Sequence, residues 1–177
     1  MSDSMEDNLI ARTQSYLRNR ENDKARYSAA ELSRIDSKDA IVWYLQAKVH
    51  YMMDEYDDSL ASLVKAAQID SRRPEIWLLM GYTLIALRRY EDAKESLEYV
   101  HASQPQNAEA SSALCVLFTI LGERQTAKQY FNHSTELDKK ATSKILNHFY
   151  NEVFKPSAQL TPQTKEALEQ MLAKLSV

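Results

Sequence analysis

The side chains best suited to chemistry near neutral pH are few and scattered in this chain of 177 residues. His50 with Asp54, and His148 with Glu152, stand at i, i+4 spacing, which places two ligands on one helical face. Two ligands leave a metal shell half empty, so these pairs read as surface contacts and no metal is expected. The single Cys115 has no histidine positioned beside it in the sequence and reads as packing rather than as a nucleophile. No GxGxxG, P-loop, GxSxG or HExxH run occurs, so neither a cofactor nor an enzymatic activity is expected. The acidic run Asp54 to Asp58 falls where a helix should begin, a place where the helix dipole favours negative charge. The pairs Arg72-Arg73 and Arg88-Arg89 are short and lack interleaved aromatics, in a chain of net charge −3. Nucleic acid is therefore not an expected partner.

The elements that carry these residues are predicted to be helices. Only 2 glycines and 4 prolines occur, which leaves little room for hairpins or glycine-rich loops. The first residues are acidic and have no apolar core of a secretory signal, and residues 1–5 are expected to be a flexible N-terminus. The most apolar stretches, Ile76 to Leu87 and Ala113 to Leu121, are too short to cross a bilayer. With one unpaired cysteine, the expectation is a cytoplasmic protein that does not insert into membranes.

Internal repetition decides the fold. Trp43 recurs as Trp77, and the same step joins the small residues Ala47, Gly81 and Cys115. It joins Tyr56 to Tyr90, aligns Ala25, Ser59, Ala93 and Ala127, and aligns Leu63, Leu97 and Phe131. Ile35-Asp36, Ile69-Asp70 and Leu137-Asp138 also fall in line, and Pro105 closes its unit. In the third unit Trp77, Met80, Gly81 and Leu84 lie on one helical face; after a turn at Arg88-Arg89, Ala93, Leu97 and Val100 lie on another. Such a helix pair cannot bury its apolar face alone, so neighbouring pairs stack and share a core.

The period and the order of aromatic, small residue, Tyr, Ala and Pro resemble the tetratricopeptide-repeat (TPR) family, best over 40–107. The resemblance implies an all-α solenoid of four helix–turn–helix units at 6–39, 40–73, 74–107 and 108–141. Leu9 and Ser111 replace the tryptophan of the first and fourth units. A further helix is predicted over 142–155. Lys155-Pro156-Ser157 breaks it, and Thr161-Pro162 starts a capping helix that runs to about Leu175.

By resemblance, the first helix of each pair lines a concave groove that holds a peptide. The groove residues are then Tyr44, Lys48, Tyr51 and Met52, followed by Leu78, Tyr82 and Ile85, and then Val116 and Thr119. This set is largely apolar, which suggests a surface that something covers. A partner peptide, the chain's own terminal helices and a second copy in a homodimer all fit. The co-chaperone subclass grips a C-terminal carboxylate with Lys and Asn, whereas the corresponding positions here include Leu79 and Glu109; that subclass is not expected. The short stack with an extra C-terminal helix is similar in architecture to type III secretion chaperones of the translocator class. The sequence thus points to a non-catalytic adaptor, scaffold or chaperone, with a permanently covered structural subunit as the alternative.

Overall fold

Short turns at a fixed interval organise the chain. The computed structural model describes residues 2–32, 34 and 38–175, and no strand occurs among them. The elements are α1 (Ser2–Arg18), α2 (Asn22–Leu32), α3 (Ala40–Met52), α4 (Tyr56–Ile69), α5 (Pro74–Ala86), α6 (Tyr90–Ser103), α7 (Ala108–Ile120) and α8 (Arg124–Phe149). A π-helical turn (Tyr150–Phe154) and α9 (Pro162–Leu175) follow. α1 begins at Ser2. Ile35 and Asp36, part of the predicted repeat alignment, lie outside the described residues.

The repeat is written in the backbone as well as in the side chains. Arg20, Asp54, Arg88 and Gly122 each have positive φ (56°, 60°, 62° and 77°), and each follows the first helix of a pair. At every one of these turns two carbonyls are recovered in the same pattern. Asp54 N donates to Tyr51 O and Glu55 N to His50 O, and Gly122 N donates to Thr119 O and Glu123 N to Phe118 O. This is the Schellman closure, which satisfies helix-end carbonyls when one residue turns left-handed. Only the last of the four positions uses the glycine that this conformation favours.

The starts of α3 and α7 are fixed by side-chain caps, whereas those of α4, α6 and α8 have none. Asp39 Oδ1 accepts from Ile41 N at 2.8 Å and opens α3, and Asn107 Oδ1 accepts from Ala110 N at 3.0 Å and opens α7. A third cap lies inside α8. Asp138 leaves helical geometry (φ −158°, ψ 97°), and its Oδ1 accepts from Ala141 N at 2.9 Å. Thr142 Oγ1 donates back to Asp138 O at 2.8 Å. The new helical segment therefore starts just after Asp138, not at 142, and the fourth unit joins its successor through a kink without a loop. Asp70 ends α4 in a similar extended conformation (φ −144°, ψ 94°), so the aspartate keeps its repeat role in both places.

The chain packs as two compact units, one through Thr83 and one from Leu84 on. The sequence offers no linker there, and α5 runs through the division. In the first unit, Leu9, Leu17, Ala25, Ala29, Leu32, Val42, Leu45 and Val49 form a core shared by α1, α2 and α3. Thr13 and Ser28 are buried there and satisfy each other at 2.6 Å. Ser59 Oγ donates to Ala47 O at 2.9 Å, so α4 approaches the α3 backbone at its small residue. In the second unit α7 packs against α6, α8 and α9, and α8 packs against α9. Phe149, Phe154 and Leu168 are fully buried in that unit. The repeat's small and large core positions are buried in both units: Ala25, Ala47 and Leu63 in the first, and Ala93, Leu97, Cys115 and Ala127 in the second.

Candidate peptide-binding surface

The four predicted groove residues of α3 remain accessible. Val42, Leu45, Ala47 and Val49 turn inward, while Tyr44, Lys48, Tyr51 and Met52 are half-buried. Tyr44 and Met52 rest on the core of the first unit, which fixes their stems. Lys48 Nζ lies 5.9 Å from the Tyr44 ring centroid, within reach of a cation–π contact. The Tyr51 and Tyr56 rings meet edge to face at 5.5 Å. Between α1 and α3, a recess of about 320 Å³ is lined by Gln14, Leu17, Arg18, Tyr44, Leu45 and Lys48. Its floor is apolar and its two ionisable lining residues, Arg18 and Lys48, are basic.

The rest of the predicted stripe is different. Leu78 is half-buried, but Tyr82 is 9% exposed, Thr119 4%, and Ile85 and Val116 not at all. These four are core residues, and the expectation that they form an open face is corrected. Ile85 and Val116 have no polar tip and gain most when covered on all sides. α7 is buried from Ala110 through Thr119, and Thr119 Oγ1 turns back to Cys115 O at 2.7 Å. Met171 of α9 brings its Sδ to 3.5 Å from Cys115 Sγ, so the chain's own C-terminal helix covers part of α7.

Burial also settles the cysteine. It pushes the Cys115 thiol up to about 12, which keeps it protonated and unreactive at neutral pH. Trp77 is only half-buried and donates Nε1–H to Ser71 O at 2.7 Å. The basic pairs have local duties. Arg72 and Arg73 pair with Asp70 at 3.4 and 3.3 Å, and Arg89 Nε donates to Asp92 at 2.7 Å. Asp57 and Asp58 lie in the first turn of α4, as the dipole argument requires.

The histidines fall differently from the i, i+4 pairs in the sequence. His50 meets Glu55 at 2.7 Å, whereas Asp54 occupies the left-handed turn and accepts from Tyr56 Oη. His50, Glu55 and Asp58 offer ligand atoms within 4.8 Å of one another. Arg26 Nη2 already donates to Glu55 Oε1 at 3.1 Å, and its positive charge opposes a cation there. His101 and His133 stack edge to face at 5.7 Å, with Tyr130 against His101 at 5.3 Å. Sequence reasoning missed this cluster because its members come from α6 and α8 with no shared motif. Burial first, and the neighbouring His133 second, hold His101 below its ordinary value of 6.5.

Comparison with known proteins agrees with the fold. The family model of the tetratricopeptide repeat matches residues 50–114. No curated protein sequence matches the chain. Among solved structures, MamA residues 41 to the end from Desulfovibrio magneticus RS-1 superposes with a TM-score of 0.69 at 16% identity, over 97% of this chain and 93% of that one. A Pseudomonas aeruginosa PilF structure reaches 0.70 at 20% identity, over 97% and 77%. YrrB, a TPR protein with an unusual peptide-binding site, reaches 0.63 at 17% identity, over 93% and 84%. With helix pairs spaced as the repeat demands and a tetratricopeptide-repeat match at their centre, the chain is similar to tetratricopeptide-repeat proteins and shares the helical fold of these structures.

Proposed function

We propose that this chain is a non-catalytic adaptor or chaperone-like module that holds a segment of a partner protein on the α1–α3 face. The observation that carries the reading is the recess beside Tyr44 and Lys48. It combines an apolar floor with two cations and one tyrosine, Tyr44, whose stem is already fixed by the core. Rigid, amphipathic aromatic anchors bind at low entropic cost, which is why they dominate interaction hot spots. The chain's one thiol, Cys115, is buried in the other unit and held protonated, in keeping with a binding role. The unpaired cysteine suits a reducing, cytoplasmic setting.

The test is affinity capture from the host lysate with the wild-type chain beside a Tyr44→Ala/Lys48→Glu variant. A retained protein that the variant loses supports the recess; equal retention by both contradicts it. A homodimer is the second reading, favoured by Tyr27 at 69% exposure and by Val64 and Ile69 on α4 at 43% and 42%. A solution mass that stays monomeric as concentration rises removes that reading.

A further inference from the structure

The larger opening lies in the second unit. A cleft of about 640 Å³ runs between the α7–α8 turn and α9, within the range of built ligand sites. Its floor is apolar, with Leu121 from the turn, Phe131 from α8 and Met171 from α9. Cations stand at its rim on both walls: Arg124 and Lys128 are one helical turn apart on α8, and Lys174 projects from α9. No carboxylate lines the cleft among the described residues.

Nearby acids accept from neutral donors and, among the described residues, form no ion pair with these cations. Glu169 accepts from Tyr150 Oη, Glu166 accepts from Gln170 Nε2 at 3.2 Å, and Glu123 accepts from Thr126 Oγ1 at 3.3 Å. Arg124, Lys128 and Lys174 are exposed, and none of them belongs to an ion pair among the described residues. The first turns of α8 and α9 both border the opening, so the positive ends of two helix dipoles add to the same field. In a chain of net charge −3, this is a local group of cations outside any described ion pair, around Leu121, Phe131 and Met171.

We propose that this cleft is a second binding site, which takes an acidic amphipathic peptide segment of a partner protein. The proposal rests on the reading of the chain as a peptide-binding module and locates a site outside the predicted groove. A small anion such as phosphate is held by donors that converge on one point. Here the cations are spread along two walls, and between them Leu121, Phe131 and Met171 lie among the neutral Thr161, Gln163, Thr164 and Gln170. That arrangement matches a chain that lays a Leu, Ile or Phe side chain on Phe131 and Met171 and turns Asp or Glu toward the rim.

The test is selection of random twelve-residue peptides displayed on phage against the immobilised full chain. Enriched peptides are then titrated by fluorescence anisotropy. The expected winners carry several carboxylates around a large apolar residue. Arg124→Glu/Lys128→Glu/Lys174→Glu weakens them by about tenfold or more, and added salt weakens them too. The milder Lys128→Gln/Lys174→Gln variant, which adds no repulsion, weakens them less, and circular dichroism checks that both variants keep their helices. Tyr44→Ala/Lys48→Glu leaves these peptides within about twofold of wild type, since it alters the other unit. The proposal is overturned if nothing is enriched, if winners are neutral or basic, or if acidic winners bind all variants equally. It is also overturned if polyglutamate or inorganic phosphate competes as well as the amphipathic peptides do. Peptides lost only with the Tyr44→Ala/Lys48→Glu variant sink the cleft while leaving the α1–α3 recess standing.

Discussion

α3 and α7 are the same element of the repeat, each the first helix of its pair, and they treat the same face in opposite ways. Tyr44, Lys48 and Tyr51 of α3 stand at repeat positions that α7 fills with Ser112, Val116 and Thr119. The α3 residues are half-buried, with phenol and ammonium tips that water or a partner can reach. The α7 residues are buried, and α9 packs onto that helix. The difference teaches that the identity of a repeat position does not decide whether its face is open. What packs against the face does: α9 lies on α7, and Tyr82 on α5 is 9% exposed despite its phenol tip, whereas the α3 residues stay half-buried.

The comparison breaks most sharply at α9. Leu168 is fully buried on that helix, so Leu168→Ala is expected to cost about 2–5 kcal/mol, measured by chemical denaturation. A loss below about 1 kcal/mol would mean that α9 is an ornament rather than the cover of α7.

The four turns offer a test with two signs. Gly122→Ala meets no atom within 4 Å of the added carbon, so its expected cost of about 1 kcal/mol is purely that of a left-handed alanine. Arg88→Gly relieves the same strain at the equivalent turn and is expected to stabilise by up to about 1 kcal/mol. Paired melting curves that move in the same direction would deny the equivalence of the turns.

On the open side, Tyr51→Ala removes an exposed-face ring contact and is expected to cost about 1 kcal/mol, well below Leu168→Ala. The smallest effect concerns pH. His101 is held below its ordinary 6.5 by burial and then by His133, with Glu98 acting in the opposite direction. The unfolded chain therefore takes up the proton first. This contribution to stability is present above 6.5 and declines as pH falls through and below that value. Melting temperature followed across that window should fall, and His101→Gln should flatten the slope; an unchanged slope removes His101 as its source.

Much of the fold could be read in the sequence because the repeat constrains both backbone and core. Ala47, Cys115, Ala93 and Ala127 are buried where the step from unit to unit places small residues, and Thr161-Pro162 opens α9. Less was legible where one residue type serves two ends. The apolar stripe through Tyr82, Ile85 and Val116 looks like an uncovered groove in one dimension, yet apolarity marks core and interface alike. Trp77 looks like a core ring but is half-buried with its indole N–H on Ser71 O. The cleft beside α9 was invisible for another reason. Its cations come from α8 and α9, some fifty residues apart in order of magnitude, and no motif joins them.

The contrast between the two faces is tested most directly by thiol labelling at equivalent repeat positions. In a Cys115→Ala background, Lys48→Cys and Val116→Cys are compared for their native-state rate of reaction with a maleimide. The account predicts that the thiol on α3 reacts at close to the rate of an unfolded control, and the one on α7 about a hundredfold more slowly or worse. Similar rates at the two positions would contradict it, because the chain would then cover both faces or neither.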